Sequence, residues 1–114
     1  MAYTTVNDPS AYSTITLYTG NGQDNRAVTN SASAGNFKPD WLWIKERSST
    51  SSHRLFDTSR GASKRIESDT NLAEATDTSN QKSFDTNGFT LGTSGSVNAN
   101  NDTYVAWQWK ANGG

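Results

Sequence analysis

Two stretches of the chain, residues 37–47 and 103–110, alternate large apolar side chains with other residues. Together they contain all four tryptophans, in two Trp-x-Trp pairs. A period of two is that of an extended strand, so both tryptophans of a pair face the same way. Because aromatic side chains of this size dominate small cores, we predict two central strands with Trp43 and Trp107 buried, and a cost of about 3–5 kcal/mol for Trp107→Ala. The alternative is an exposed aromatic platform that stacks on sugars or bases.

The rest of the pattern predicts further short strands, about seven in all and spaced near ten residues apart. Asn87-Gly88 between apolar-patterned segments is a two-residue turn signal and predicts a hairpin over residues 82–92. Residues 71–75 predict one helical turn, and residues 23–36 a weak strand or a long loop. The other predicted strands cover residues 13–19, 53–57 and 64–68, the last with Ile66 facing inward.

The composition indicates an all-β protein. Apolar residues make up only 32% and mean hydropathy is −0.81, but plentiful aromatics and a charged fraction of only 18% argue against disorder. The polarity comes mainly from Ser, Thr and Asn, which suit half-exposed strands and turns. We therefore predict one antiparallel β-sandwich domain, jelly-roll-like, over residues 14–111. Residues 1–13 are predicted to be a flexible arm that orders only at an interface, and residues 112–114 a free tail.

Several classes of protein are disfavoured by what the sequence lacks. Without cysteine there is neither a disulfide framework nor a thiolate metal site or nucleophile. The N-terminus lacks the basic and apolar regions of a signal peptide, and no apolar run approaches the ~20 residues that span a bilayer. We expect synthesis in a cytoplasm and no membrane association.

The charge is unevenly placed along the chain. Residues 38–65 carry seven basic and three acidic residues, a net charge of +4, whereas the remainder carries −5. Two separate charged faces would orient docking onto a charged surface. The alternative is that neighbouring strands neutralise each other through solvated pairs. Nucleic-acid binding is not expected, because the overall charge is −1 and no RNA-binding signature occurs.

Four motifs and one asparagine together resemble a domain common in virion proteins of tailed phages, frequent in marine phages. The resemblance covers residues 18–111 and implies a concanavalin-like β-sandwich and a part of the virion more firmly than any ligand. It supplies no catalytic residues. Because this copy begins with its own Met1, it implies a small accessory protein such as a capsid decoration protein or head fibre. The motifs are Phe-x-Pro-Asp-x-x-Trp-Ile-Lys-x-Arg at 37–47, His-x-Leu-Phe-Asp-x-x-Arg-Gly at 53–61, Ser-Phe-Asp-x-x-Gly-Phe-x-Leu-Gly at 83–92, Asn98, and Asp-Thr-Tyr-Val-Ala-Trp-x-Trp-Lys-Ala at 102–111.

Enzymatic chemistry has weak candidates. His53 is the only histidine and could form a Ser-His-Asp arrangement with Asp57, but no nucleophile elbow is present. A glycoside hydrolase would need two carboxylates to converge. We expect no enzyme. The carboxylates considered are Asp57, Glu67, Asp69, Glu74, Asp77 and Asp85.

No cofactor is expected, and calcium near Asn98, Asn100 and Asp102 is a minor alternative, because Asp- and Asn-rich sandwich loops offer hard oxygen ligands. Asn101 belongs to the same cluster, and turn formation is the favoured explanation of all four side chains.

The leading hypothesis is a non-enzymatic virion protein that binds the outer capsid surface as a decoration protein or head fibre. Its expected partners are the major capsid protein or other virion proteins, and further copies of itself on the particle. The alternative is a carbohydrate-binding adhesion module that stacks a surface glycan on Trp41. The candidate interface residues are Trp41, Lys45, Arg47, Arg54 and Arg60.

Overall fold

The computed structural model describes residues 11–31 and 37–111, and within them the chain forms nine strands and one short helix. The predicted arm falls almost wholly, and the tail entirely, outside these residues. The elements are β1 Ser13–Thr19, β2 Arg26–Thr29, β3 Trp41–Glu46, β4 Arg54–Asp57, β5 Lys64–Arg65, β6 Ala75–Thr76, β7 Gln81–Asp85, β8 Gly88–Leu91, α1 Gly95–Asn98 and β9 Thr103–Trp109.

Two antiparallel sheets enclose the core. One has the strand order β1-β9-β3-β4 and the other β2-β8-β7, while β5 and β6 form a small separate pair. The two Trp-x-Trp strands, β3 and β9, are neighbours at the centre of the four-stranded sheet, as predicted. The prediction of an all-β sandwich is confirmed. No helix among the described residues is long and apolar enough to cross a membrane.

The core uses the opposite face of the Trp-x-Trp strands from the one predicted. Leu42 and Ile44 of β3 and Tyr104 and Ala106 of β9 are fully buried between the sheets. Because side chains alternate across a strand, the tryptophans lie on the other side, facing solvent. The prediction that Trp43 and Trp107 are core residues is therefore wrong. The core is completed by Tyr18, Phe56, Val28, Phe89, Leu91 and Val97.

Two stacked tyrosines connect the sheet to α1. Tyr18 and Tyr104 are cross-strand partners whose ring centroids lie 5.2 Å apart. The Tyr18 hydroxyl donates to the Val97 carbonyl at 2.8 Å, and that of Tyr104 donates to the Gly95 carbonyl at 2.6 Å. Burial raises the pKa of both phenols. Since a phenol can reach across a core and still satisfy its polar tip, these two side chains fix α1 over the sandwich.

A buried amide pair joins the two sheets at one end. The amide nitrogen of Asn30, just after β2, donates to Oε1 of Gln108 at 2.9 Å, and Nε2 of Gln108 donates back to Oδ1 of Asn30 at 3.0 Å. Thr16 joins the same group through its hydroxyl. Each buried polar atom in the group therefore has a partner, which offsets the cost of its burial.

Three local predictions need correction. The hairpin turn consists of residues 86–87, because Asp85 pairs with Gly88, so the turn lies one residue before Asn87-Gly88. Residues 71–75 form no helical turn. Ile66 pairs with Leu55 in an isolated bridge and is 36% exposed instead of facing inward. In contrast, β1 has the predicted bounds and residues 23–36 contain the weak strand β2.

Candidate functional site

The candidate site is the side of the four-stranded sheet that faces away from the core, which we call the outer face. All four tryptophans lie on it, together with apolar side chains from β1. Ile15 and Leu17 are 62% and 61% exposed, and Trp41 is 40% exposed. Monomeric soluble proteins seldom expose contiguous apolar surface of this kind unless it binds something. The outer face is therefore the strongest candidate for a binding surface in the described part of the chain.

The strand register aligns five apolar side chains across the outer face. Ile15 is the partner of Trp107, Trp107 of Trp43, Trp43 of Leu55, and Leu55 of Ile66. We call this line the apolar row. With about 4.8 Å between strands, it extends for roughly 19 Å. Its middle members are half-buried by each other and its two ends are exposed.

Tryptophan pairs stiffen the centre of the outer face. The rings of Trp43 and Trp107 lie 5.4 Å apart in an edge-to-face arrangement, and those of Trp41 and Trp109 lie 5.0 Å apart. The indole N–H of Trp43 donates to Nδ1 of His53 at 2.8 Å, so this ring nitrogen acts as an acceptor. Such contacts hold large rings in place, so little conformational entropy remains to be lost when a partner covers them.

Two open depressions flank the Trp41–Trp109 pair. One is lined by Ser13, Ile15, Trp107 and Trp109, and the other by Asp40, Trp41, Asp57, Ser59 and Ala111. The carboxylates of the second depression are held by the protein. Asp40 accepts from the Thr58 hydroxyl and the Ala111 amide, and Asp57 accepts from the backbone and side chain of Arg60. An exposed indole beside oriented carboxylates is a pattern that suits stacking and hydrogen bonding to a sugar ring.

The structure separates the residues predicted to form an interface. Trp41 and Lys45 both lie on the outer face, where Nζ of Lys45 donates to the carbonyls of Glu46 and Ser49. Arg47 is exposed just after β3. Arg54 points the other way and binds Ser96 of α1 and Glu67. Arg60 occupies the turn after β4.

Ion pairs with acidic side chains neutralise much of the positive charge of the basic segment, residues 38–65. Arg54 binds Glu67 at 2.7 Å, Arg60 binds Asp57 and Glu74, and Arg65 binds Glu67 at 2.6 Å. Burial lowers the pKa of Arg54, although the Glu67 charge opposes the shift. These contacts support the alternative in which neighbouring segments neutralise each other.

Asn98 connects α1 to the loop after β1. Its side-chain oxygen accepts from the Asn21 amide and the Arg26 guanidinium, and its amide nitrogen donates to the carbonyls of Gln23 and Gly92. The side chain is fully buried. Its oxygen thus already serves two donors of the protein. Within the described residues, no group of three or more His, Asp or Glu side chains is arranged to hold a metal ion.

The residues considered for catalysis have structural contacts. Asp57 binds Arg60, and His53 binds Trp43 through its ring and Asp69 through its backbone amide. Asp77 accepts from the hydroxyl and amide of Ser79, and these bonds lower the pKa of its carboxyl. The other candidates also have protein partners, namely Glu67 with two arginines, Glu74 with Arg60, and Asp85 with Ser83 and Thr90.

Sequence analysis missed Ile15, Leu17 and Ile66 as members of the candidate site. A signal was present for the first two, because Ser13–Thr19 alternates Ile15 and Leu17 with Thr14, Thr16 and Tyr18. That alternation offers an aliphatic face and a mixed face, and apolarity alone favours burying the aliphatic one. The structure buries Tyr18 instead, because its stacking partner Tyr104 faces the core.

Comparison with known proteins identifies a family without assigning a function. Residues 8–114 match a family described as a domain of unknown function (DUF7483). Since the match covers nearly the whole chain, the protein belongs to this family. No curated protein and no solved structure matches the chain.

Proposed function

We propose that the protein is a non-enzymatic structural protein of a phage virion that binds the outer capsid surface as a decoration protein or head fibre. The resemblance of its motifs to virion domains supplies the context. The observation that carries the proposal is the outer face, where Ile15, Leu17 and Trp41 stand exposed on a stiff sheet. A surface of this kind favours contact with another macromolecule over the enclosure of a small substrate.

The mechanism is the addition of buried area across a repeating shell. Each copy needs only modest affinity, because many copies act together on the lattice. Charged residues around the contact would set orientation and association rate more than strength. The partly engaged Lys45 of β3 and exposed Arg47, just after β3, are cations beside the outer face.

The test is direct binding of the purified protein to particles stripped of accessory proteins, at low and high salt. We expect saturable binding that weakens at high salt, and cryo-EM density for the sandwich on the shell. Arg47→Gln should reduce the salt dependence, while Lys38→Gln, another exposed cation near the start of β3, serves as the matched control. Absence of binding at both salt concentrations would remove the decoration proposal.

A second function, glycan binding, is favoured by one specific observation. Trp41 is 40% exposed and borders a depression that also contains the carboxylates of Asp40 and Asp57. A pyranose ring could stack on the indole and donate hydroxyls to the carboxylates. A glycan array should then give reproducible hits that Trp41→Ala abolishes. Leu72→Ala, at an exposed loop residue away from β3, should retain them. A blank array would eliminate this function.

A further inference from the structure

We propose that the outer face is covered by the outer face of a second copy of this chain, giving a two-fold dimer. This refines the proposed function, because the macromolecule that covers the outer face is then a second copy on the particle instead of the shell itself, and it rests on that function only for its place on the virion. The self-association itself requires no particle.

The apolar row is suited to contact with itself. None of its five members carries a charge, so two rows can approach without like-charge repulsion. A two-fold axis along the row, in the plane of contact, places every member opposite its own equivalent. Such an isologous contact is the commonest way in which soluble proteins form oligomers. Sheets that pack face to face with nearly aligned strands are also a standard arrangement.

Charges of opposite sign lie on opposite sides of the apolar row. Lys45 lies two residues from Trp43 along β3, whereas Asp57 lies beside Trp41 on the other side. The two-fold axis carries Lys45 of one copy to the Trp41 and Asp57 edge of the other, and does so twice per dimer. Two of the three ammonium donors of Lys45 bind carbonyls, which leaves one for this contact.

This charge placement distinguishes between the two in-plane axes that keep the strands of the two copies aligned. An axis parallel to the strands, through the middle of the sheet, would instead bring β9 of one copy over β3 of the other, with Val105 opposite Lys45 and Trp109 opposite Trp41. That arrangement buries an ammonium group against an aliphatic side chain and gains no opposite charge. Because an unpaired charge is costly to desolvate, the axis along the apolar row is favoured.

The size of the outer face predicts a weak dimer. The row is roughly 19 Å wide and the longest strands about 23 Å long, so the footprint is on the order of 400 Å² per copy. Stable complexes bury about 800 Å² per partner. We therefore expect dissociation in the micromolar range or weaker, so that monomer and dimer exchange in dilute solution. A high local concentration on a lattice would shift this equilibrium to dimer.

Sedimentation velocity across a wide concentration series, without particles, tests the dimer. We expect a reversible monomer–dimer equilibrium. The indole N–H protons should exchange with solvent more slowly as the fraction of dimer rises. Leu17→Thr should lower the association constant at least about tenfold, because each substitution acts twice and threonine keeps the strand propensity. Leu72→Thr is the matched control, since Leu72 is 64% and Leu17 61% exposed but only Leu17 lies on the outer face.

A charge reversal tests the choice of axis. Lys45→Glu should lower the association constant and should reverse the salt dependence of dimer formation, because it places like charges at both Asp57 contacts and salt screens their repulsion. Circular dichroism of each variant establishes that the sandwich is folded. If Lys45→Glu associates as well as wild type, the axis along the row is wrong.

Other outcomes overturn the proposal in different ways. A protein that stays monomeric up to millimolar concentration does not use this face for self-association. A dimer that Leu17→Thr leaves intact uses another surface. A monomer that binds glycans in a Trp41-dependent manner has a sugar as its occupant instead. Failure to bind particles would remove the proposed function but not the dimer, so the two failures are distinguishable.

Discussion

Trp43 and Trp107 meet edge to face on the solvent side of their sheet, with 5.4 Å between ring centroids and an interplanar angle of 61°. Their neighbours in the same strands, Leu42 and Ala106, point the other way and are fully buried. The two strands thus have an aromatic face and a packed face. Only the packed face contributes directly to the core between the sheets.

This arrangement predicts different costs for truncation on the two faces. Leu42→Ala should lower the free energy of unfolding by about 2–5 kcal/mol, because it leaves a cavity in the core. Trp107→Ala should lower it by only about 1–2 kcal/mol, mainly through loss of its ring contacts. Urea unfolding followed by circular dichroism measures both. Equal losses would contradict the placement of Trp107 on the outer face.

The sequence predicts the strands and which of their residues share a face, but it does not predict which face of the sheet is buried. Period-two spacing predicts which residues share a face, and it correctly grouped Trp41 with Trp43. It does not determine which face is buried, because that depends on what the second sheet offers. Here Val28, Phe89 and Leu91 of the second sheet pack against Leu42 and Ile44, and these partners lie far away in sequence.

The reciprocal amide bonds of Asn30 and Gln108 predict strong energetic coupling. Removing either partner leaves the other with unsatisfied buried atoms, so Asn30→Ala and Gln108→Ala should each cost about 1–3 kcal/mol. The double variant should cost clearly less than the two single losses combined. A thermodynamic cycle from denaturant unfolding measures the coupling. Additive losses would mean that the amide pair does not act as a unit.

The ion-pair partners of the basic residues were harder to predict from the sequence than the positions of the strands. The basic segment 38–65 was identified correctly from the sequence, but its partners Glu67, Glu74 and Asp77 come from later segments. The isolated Leu55–Ile66 bridge and the β5–β6 pairing bring those carboxylates beside the arginines. Sequence separation hides such pairs because nothing local specifies them. Trp41 is exposed, as the alternative hypothesis required, and its role in binding stays a prediction.

The hydrogen bonds of Asp77 predict how the free energy of unfolding depends on pH. Its carboxyl accepts from the Ser79 hydroxyl at 2.6 Å and amide at 2.9 Å, which lowers its pKa below that of an unfolded aspartate, about 3.9. The unfolded state then binds a proton more readily. The contribution of Asp77 is therefore complete above about pH 4 and is lost as pH falls through the native value.

Urea unfolding at several pH values measures this contribution. Wild type should lose its stability advantage over Asp77→Asn as the solution is acidified, and Ser79→Ala should show a smaller acid sensitivity than wild type. If the difference between wild type and Asp77→Asn stays constant from neutral pH to well below pH 4, the carboxylate does not supply it.

Among small substitutions in the β7–β8 hairpin, we expect Gly88→Ala to lower the free energy of unfolding most. Its φ is 150°, and a Cβ built on it would lie 2.0 Å from the carbonyl oxygen of Val28. Gly88 is paired with Thr29 in the register of β2 and β8, so the clash would force these strands apart. Because both atoms' positions are set by backbone, no side-chain rotation relieves it. Gly88→Ala should therefore cost more than about 3 kcal/mol.

Gly61 provides the control for Gly88. Its φ of 101° also disfavours other residues, but a Cβ there would meet nothing within 4 Å. Gly61→Ala should thus cost only the backbone strain, about 1–3 kcal/mol. Thermal unfolding of the two variants separates strain from clash, and hydrogen exchange should show faster opening of β2 in Gly88→Ala alone. Equal destabilisation by both substitutions would show that the close approach of β2 to Gly88 does not limit this site.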